Sequence, residues 1–174
     1  MGIFPWFNDD EMMMWFSPPK RFVLYPDKIK ISTSMKKIIR SDIFTVTVDK
    51  DFNTVVKNCS EVKRKGQNGT WITKGMKKAY SKLHELGHAH SIEVWKEGKL
   101  VGGLYGVKVA RVFCGESMFS LIDNASKAAL IHLATKMNFD LIDCQVHTKH
   151  LQSMGAQFIT RDKYQNYLSK QGFK

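Results

Sequence analysis

Residues 100–120, LVGGLYGVKVARVFCGESMFS, constrain the fold most, because their β-branched and aromatic side chains predict two adjoining strands. Gly102, Gly103 and Gly106 interrupt this run. A glycine inside a strand is typical of a bulge or of a close approach by backbone or ligand. The stretch ends in GESMFS, where one acid and two hydroxyls lie among large apolar residues. We therefore expect a polar group of side chains in an apolar setting at this end.

A second stretch, LIDCQ at residues 141–145, predicts a short buried strand that carries one acid and one amide. Asp143 and Gln145 are two residues apart, and side chains at that spacing on a strand point to the same face. With Glu116 opposite them, they would form a plausible polar site. The pattern is equally compatible with polar groups that have a purely structural role.

The rest of the chain mixes helical and strand patterns and predicts an α+β fold with a mixed sheet. A hairpin is expected across Lys96-Glu97-Gly98, between strands at 91–95 and 99–109. Other strands are expected at 21–25, 28–32, 43–48 and 157–160. Helices are expected at 34–40, 52–58, 74–86, 124–138, 147–154 and 163–170. The expected N-caps are Ser34, Thr73 and either Asp123 or Asn124.

Composition bounds the class of protein. A length of 174 residues suits one domain, or one domain with a small appendage. No apolar run approaches the ~18 residues that a membrane helix needs. Three cysteines without metal-ligand spacing favour a reduced, cytoplasmic setting. The net charge of +11 favours a polyanionic partner, either nucleic acid or an acidic membrane surface, although a basic protein without such a partner has the same composition.

Two neighbouring groups of basic residues are candidate nucleic-acid contacts. The first is the charged loop EVKRKGQN, and the second is the polar part of the amphipathic helix expected at 74–86. A solvated surface would show the same pattern at either place. The candidate residues are Lys63, Arg64, Lys65, Lys74, Lys77, Lys78 and Lys82.

His84-Glu85-Leu86-Gly87-His88 matches the H-E-x-x-H pattern of zinc proteases. That chemistry needs one helix running through both histidines, so that residues four apart meet one metal. The amphipathic pattern stops at Leu86, Gly87 is a natural C′ residue, and His88 leads into a strand. We therefore expect no metal site here.

Eight motifs follow one another from Phe4 to about Leu168: FPWF, GTWIT, LHELGHAHSIEVW, LVGGLYGV, FCGESMFS, DNASKAAL, LIDCQ and SMGA. Through them the chain resembles the leucyl/phenylalanyl-tRNA–protein transferase family. The resemblance implies an acetyltransferase-like (GNAT-like) mixed sheet flanked by helices. It also implies that residues 1–22 are a remnant of the family's larger N-terminal domain, and that residues 23–174 form the transferase domain.

The resemblance further implies an aminoacyltransferase. Its donor would be Leu-tRNA or Phe-tRNA, with methionine as a further candidate amino acid. Its acceptor would be the N-terminal Arg or Lys of a protein or peptide, which is thereby marked for N-end-rule degradation. Because the aminoacyl ester is already activated, neither ATP, nor a metal, nor any other cofactor is implied. A monomer in the cytoplasm, without a membrane partner, is expected.

By match to the family motifs, Asp143 and Gln145 would be the catalytic pair that orients the attacking amine or accepts its proton. Glu116 would bind the basic end of the acceptor through charge-assisted hydrogen bonds. Ser120 would lie close by. Positioning of the two substrates alone would also supply much of the rate, on the order of 7–11 kcal/mol of a barrier in favourable cases.

The donor aminoacyl group needs an apolar pocket and a surface for its adenine. Trp71 would stack on the terminal adenine, and Trp6, in FPWF, would form a wall of the site. The candidates for the side-chain pocket, which could also be plain core, are Leu104, Phe113, Met118 and Leu133.

Two other functions are compatible with parts of the sequence. An acyl-CoA-dependent N-acyltransferase would present a glycine-rich basic loop before a helix, but residues 114–117 and 121–126 offer none, and Asp123 would repel a phosphate. A non-enzymatic RNA-binding domain would satisfy the charge, but it would not require the Asp143 and Gln145 pair.

Overall fold

The computed structural model describes residues 2–5, 14–62 and 70–169. The strands are β1 (Phe4–Pro5), β2 (Trp15–Phe16), β3 (Lys20–Leu24), β4 (Thr45–Val48), β5 (Ala89–Lys96), β6 (Lys99–Val109), β7 (Val112–Ser120), β8 (Leu141–Gln145) and β9 (Gln157–Thr160). The helices are α1 (Thr33–Arg40), α2 (Phe52–Glu61), α3 (Lys74–Glu85), α4 (Ala125–Lys136), α5 (Lys149–Ser153) and α6 (Arg161–Ser169). None of the described helices is long and apolar enough to cross a membrane.

Seven strands form one mixed sheet in the order β4-β5-β6-β7-β8-β3-β9. Its neighbours are antiparallel except for β7 and β8, which run parallel. β1 and β2 pair separately as a small antiparallel ribbon. The predicted α+β fold with a mixed sheet is therefore confirmed.

The strands β5, β6 and β7 form two consecutive hairpins. The first is the hairpin predicted across Lys96-Glu97-Gly98, and the second joins the two adjoining strands predicted in residues 100–120. Glu97 and Gly98 both have positive φ, 50° and 74°, which is the backbone of a type I′ turn. The ladder between β6 and β7 shifts register between Tyr105 and Gly106. A Cβ at Gly106 would lie 2.2 Å from the carbonyl oxygen of Cys114, so this position requires glycine. The predicted bulge with close backbone approach is confirmed there.

Helices cover both faces of the sheet. A Cβ at Gly102 would meet Ala125 of α4, whereas a Cβ at Gly103 would point toward Val55 of α2. Successive strand residues face opposite sides, so α4 and α2 pack on opposite faces. α4 is buried along most of its circumference, as expected, and its apolar residues belong to the largest core cluster. The architecture is three layers: helix, sheet and helix.

The parallel pairing of β7 and β8 ends early. Cys114 opposite Asp143 is the last pair, but β7 continues to Ser120. Gly115 still lies against β8, because its Cβ would be 3.3 Å from the carbonyl oxygen of Asp143. Beyond that point the two strands diverge and leave a cleft between them.

The expected strand at 28–32 is wrong. A 3-10 turn at Pro26–Lys28 occupies its start, and the proline ring favours such a turn. Residues 29–32 then run without ladder partners; the backbone N–H of Lys30 donates to the carbonyl of Met154 instead. The expected cap is wrong as well, because Ser32 rather than Ser34 accepts the hydrogen bond from Met35 N and starts α1.

α4 starts where predicted, but its capping hydrogen bond comes from an unexpected residue. Asn124 occupies the N-cap position with a φ of 70°, but its side chain makes no capping bond. The hydroxyl of Ser120 accepts from the backbone N–H of Ser126 at 3.1 Å and donates to the carbonyl of Ile122 at 2.7 Å. A residue from the preceding strand therefore does the capping, which local sequence rules do not anticipate.

The H-E-x-x-H pattern is divided between a helix and a turn. α3 ends at Glu85, Gly87 has a φ of 76°, and His88 lies beyond the helix. The ring Nδ1 of His84 lies 2.8 Å from the carbonyl oxygen of Ala89, in keeping with a structural role. Among the described residues, no group of three or more His, Cys, Asp and Glu could hold a metal ion.

Candidate active site

Asp143 of β8 is completely buried and forms an ion pair with Arg21 of β3, which is 3% exposed. The guanidinium Nε lies 2.9 and 3.0 Å from the two carboxylate oxygens, and Nη2 lies 2.9 Å from Oδ2. The guanidinium also lies against the rings of Phe4 and Tyr164, 4.5 and 4.6 Å from their centroids. Such bidentate, stacked contacts are the geometry that arginine favours at buried sites.

Two further donors complete the surroundings of Asp143. The hydroxyl of Tyr164 donates to Oδ2 at 2.8 Å, and the backbone N–H of Gln145 donates to Oδ1 at 2.8 Å. Burial opposes the charged form of Arg21. The charge and hydrogen bonds of Asp143, together with Tyr164, outweigh this effect and raise the pKa of Arg21. Burial has the opposite effect on the acidic phenol of Tyr164: it raises the pKa of Tyr164 and keeps the phenol protonated as a donor.

Gln145 has a left-handed backbone, with a φ of 60°. This is an unusual conformation for a residue other than glycine, and the N–H bond to Asp143 holds it. The prediction that Asp143 and Gln145 point to the same face assumed an extended strand, so it does not hold for the left-handed Gln145. Its amide Nε2 instead donates to Oε2 of Glu116 at 3.3 Å, which brings the amide to the neighbouring strand.

Glu116 of β7 is partly buried in the cleft beside β8. Tyr80 of α3 and Gln145 both hydrogen-bond its carboxylate. Burial raises the pKa of Glu116 to about 7, although these two hydrogen bonds oppose the rise. Burial and the adjacent Glu116 raise the pKa of Tyr80, so its phenol stays protonated. Glu116 is therefore a carboxylate that titrates near neutral pH.

Two cavities meet at Glu116 and Gln145. One, which we call the apolar cavity, has a volume of about 400 Å³ and lies between β7, β8, α4 and α5. The other, which we call the broad cavity, has a volume of about 940 Å³ and is bounded by β1, α3 and α6. Glu116, Gln145 and Pro5 line both. A molecule in either cavity therefore reaches the same carboxylate and amide.

The apolar cavity brings together all four residues expected to form a side-chain pocket. These are Leu104, Phe113, Met118 and Leu133. Trp71 lines it too and makes an edge contact with Tyr80, their ring centroids being 6.2 Å apart. Sequence reasoning missed Leu130, although a residue three positions before Leu133 on a helix shares its face.

Sequence reasoning also missed Arg21, Tyr80 and Tyr164 as members of the site. A signal existed for Arg21: a basic residue in the apolar strand KRFVL must find an acidic partner when it is buried. Tyr80 shares the apolar face of an amphipathic helix with Met76 and Leu83, and that position hides the role of its hydroxyl. Tyr164 carried no signal, because its partner is 21 residues away.

Ser120 and the four candidate lysines of α3 line neither of the two cavities. Ser120 is four residues beyond Glu116 and lines neither of the two cavities, because its hydroxyl caps α4. Lys74, Lys78 and Lys82 are exposed on α3 and Lys77 is partly exposed; Lys82 pairs with Glu85 at 2.9 Å. Outside the described residues lie Trp6, Lys63, Arg64 and Lys65.

Comparison with known proteins gives one family. A family described as leucyl/phenylalanyl-tRNA protein transferase matches residues 23–169. The chain is 51% identical over 172 residues to a leucyl/phenylalanyl-tRNA–protein transferase of Syntrophobacter fumaroxidans, covering 97% of this chain and 74% of that protein. It is also 51% identical over 170 residues to one of Flavobacterium johnsoniae, covering 96% and 80%.

Solved structures show likeness of fold alone. A functionally unknown conserved protein from Staphylococcus epidermidis superposes with a TM-score of 0.54 at 10% identity, covering 81% of this chain and 57% of that one. A conserved protein of unknown function from Bacteroides thetaiotaomicron gives a TM-score of 0.50 at 12% identity, covering 76% and 53%. This chain thus spans little more than half the length of either.

Proposed function

The chain belongs to the leucyl/phenylalanyl-tRNA–protein transferase family and is an aminoacyltransferase, and on that premise we propose that it moves leucine or phenylalanine from Leu-tRNA or Phe-tRNA to the N-terminal Arg or Lys of acceptor proteins. The observation that carries this proposal is the meeting of two cavities at Glu116 and Gln145. Two substrates that must react with each other need two spaces that share one polar boundary.

The donor amino acid is proposed to occupy the apolar cavity. Its volume of about 400 Å³ lies in the ordinary range of small-molecule sites, ~300–1,000 Å³. Leu104, Phe113, Met118 and Leu133 would contact the donor side chain, and Trp71 would stack on the terminal adenine. Because such a pocket selects a side chain only by its size and apolarity, leucine and phenylalanine would both fit, and methionine is a further candidate.

The acceptor is proposed to enter through the broad cavity. Arg21 and Asp143 neutralise each other's charge. Among the described groups at this boundary, Glu116 therefore has no ionic partner. An N-terminal Arg or Lys carries positive charge, and Glu116 would hold it by charge-assisted hydrogen bonds. The peptide beyond its first residue would then lie along the apolar walls contributed by α3 and β6.

Asp143 and Gln145 are proposed to orient the attacking amine. The bond from Gln145 N–H to Asp143 fixes the backbone of Gln145 in its left-handed conformation, which sets the direction of its amide. Gln145 would then present its carbonyl oxygen to the amine of the acceptor. Holding the amine against the ester at a productive distance contributes much of the rate in such reactions.

The proposal extends to the rest of the molecule. We place the reaction in the cytoplasm, in a monomer, and infer that the product is a substrate for N-end-rule degradation. We assign the sheet from β3 (Lys20–Leu24) onward, with its helices, to an acetyltransferase-like (GNAT-like) transferase domain. The boundary expected between residues 22 and 23 would cut β3 and separate Arg21 from Asp143. The helix–sheet–helix layers and the cleft between the two parallel strands support that assignment of fold.

Transfer of labelled leucine from Leu-tRNA to an Arg-starting peptide tests this function directly. An Asp-starting peptide of otherwise identical sequence is the acceptor control, and acetyl-CoA replaces the charged tRNA in a donor control. We expect label only in the first reaction. Transfer from acetyl-CoA would favour the acyl-CoA alternative, and tRNA binding without any transfer would favour an RNA-binding domain.

The same assay tests the catalytic pair. Asp143→Ala and Gln145→Ala should each lower turnover by about 10²-fold or more, in the range of general acid–base and positioning effects, while the affinity for charged tRNA stays near that of the wild type. Circular dichroism and thermal unfolding establish that each variant is folded. A folded Gln145→Ala variant with wild-type turnover would remove the amide from the mechanism.

A further inference from the structure

We propose that Glu116 takes the proton of the attacking amine, and that Asp143 is a positioning residue that takes no part in proton transfer. This inference rests on the proposed function and goes beyond it, because it assigns the proton acceptor.

Asp143 has no free position to accept a proton. Its two oxygens already receive three contacts from Arg21, one from the hydroxyl of Tyr164 and one from the backbone N–H of Gln145. Protonating this carboxylate would leave the buried guanidinium of Arg21 without its counter-ion, which is a costly state. Asp143 is completely buried, and although it borders the apolar cavity, these five contacts already occupy its carboxylate oxygens.

Gln145 is the wrong chemical type to hold the proton, because a neutral amide is a very weak base. It can nevertheless guide the amine: its Nε2 donates to Glu116, so its carbonyl oxygen remains available to accept from the N–H of the substrate. A proton that leaves an amine held by this amide lies next to the Glu116 carboxylate.

Glu116 has the placement and the proton affinity for the task. It lines both cavities, so it can reach the donor ester and the acceptor amine together. Tyr80 and Gln145 hold it by hydrogen bonds and leave it at the cavity surface. A general base works best when its pKa lies near the working pH, and burial brings the pKa of Glu116 to about 7.

The proton then follows a closed path. The neutral α-amine of the acceptor attacks the carbonyl carbon of the aminoacyl ester, and a C–N bond forms. Glu116 takes one N–H proton from the resulting ammonium. As the ester C–O bond breaks, Glu116 returns that proton to the ribose oxygen that leaves. The products are the new peptide bond and deacylated tRNA, and Glu116 is ionised again.

Single-turnover rates at saturating acceptor test the assignment across pH 5.5–9, for the wild type, Glu116→Gln and Glu116→Asp. Two deprotonations are required in the wild type, at Glu116 and at the acceptor amine, whose ordinary pKa is ~7.7. The logarithm of the rate should therefore fall with a slope of two at low pH. Glu116→Gln should lose about 10²-fold or more in maximal rate and fall with a slope of one, while Glu116→Asp should regain part of the rate and the second slope.

Asp143→Asn is the matched positioning variant, and Glu85→Gln is the surface control, since Glu85 is 63% exposed on α3. Asp143→Asn should lower the rate and keep the slope of two; Glu85→Gln should change neither. If Glu116 only binds the basic terminus, Glu116→Gln will raise the KM of the peptide at an unchanged maximal rate. That outcome, or a slope of two in folded Glu116→Gln, overturns the proposal. Absence of any transfer by the wild type would instead contradict the proposed function.

Discussion

Arg21 and Asp143 lie 122 residues apart in the sequence and form a buried ion pair with three N–O distances of 2.9–3.0 Å. Removing one partner of such a pair leaves an uncompensated buried charge, which costs about 3–5 kcal/mol. We therefore expect Arg21→Met to lower the free energy of unfolding by about that amount and to abolish measurable transfer. Urea denaturation and the transfer assay measure the two effects.

An exposed ion pair is the matched control for Arg21. Arg111 and Asp140 are 2.6 Å apart, but their side chains are 38% and 40% exposed. Arg111→Met should lower stability far less than Arg21→Met does and leave transfer intact, because an exposed ion pair is screened by solvent. If Arg21→Met and Arg111→Met lower the free energy of unfolding equally, burial of the Arg21–Asp143 pair has no special effect on stability.

Leu133 should set the size limit of the donor pocket. Leu133→Ala enlarges the apolar cavity, so the ratio of kcat/KM for Phe-tRNA over Leu-tRNA should rise about tenfold, within the ~1–3 kcal/mol that such pockets discriminate. Ile131→Ala is the control, because Ile131 is buried on the same helix but does not line the cavity. Both substitutions should cost about 2–5 kcal/mol of stability, and a shift in the ratio for Ile131→Ala would contradict the assignment.

Glu116 should make the stability of the wild type depend on pH. Its ordinary pKa is near 4.5 and burial raises it to about 7 in the fold, so between these values the native state binds more protons than the unfolded chain. The contribution of Glu116 to the free energy of unfolding therefore falls as pH rises from about 4.5 to about 7, then stays constant. Glu116→Gln has no carboxyl group at this position and does not lose this stability as pH rises. The Tm of the variant minus the Tm of the wild type should therefore be larger at pH 8 than at pH 4.5. A Tm difference that is the same at both pH values would argue against the raised pKa.

The exposed lysines of α3 provide a test of where tRNA lies. If Lys74, Lys77 and Lys78 contact phosphates, neutralising all three to Gln should weaken binding of Leu-tRNA and Phe-tRNA equally. The slope of log affinity against log salt should also become shallower, by about 0.7–0.9 for each lost contact. Neutralising three lysines elsewhere, Lys96, Lys99 and Lys136, removes the same charge and should change the slope less. Identical slopes for the two triple variants would show that α3 is only a solvated face.

Local patterns predicted most of the fold. The hairpin at Glu97-Gly98, the strand LIDCQ and the helix after Thr73 were all correct, because each depends on alternation, turn residues or caps that lie within a few positions. The strand expected at 28–32 was wrong, since Pro26 and a single bond to Met154 override a local alternation. For α4, Asn124 occupies the expected N-cap position, but the capping hydrogen bond comes from Ser120 on the preceding strand.

The sequence also predicts part of the site, because some of the site residues lie in stretches that local patterns single out. Glu116, Gln145 and three of the four pocket residues, Leu104, Phe113 and Met118, come from two stretches whose composition is unusual in itself, so the sequence points to them. The fourth pocket residue, Leu133, comes from α4. Arg21, Tyr80 and Tyr164 join them only through the order of strands in the sheet and the packing of α3 and α6. Contacts between residues that are 21 to 122 positions apart in the sequence produce no periodic pattern along the chain.

The position of β3 in the sheet has a consequence for how the protein is made. This strand, completed at Leu24, lies between β8 and β9, which begin at Leu141 and Gln157. At a synthesis rate of ~5–20 residues per second, the nascent chain carries an unpaired apolar strand for roughly 6–24 s before its first partner emerges. We therefore expect slower translation to lengthen this interval and to increase the fraction of the chain that is lost to aggregation.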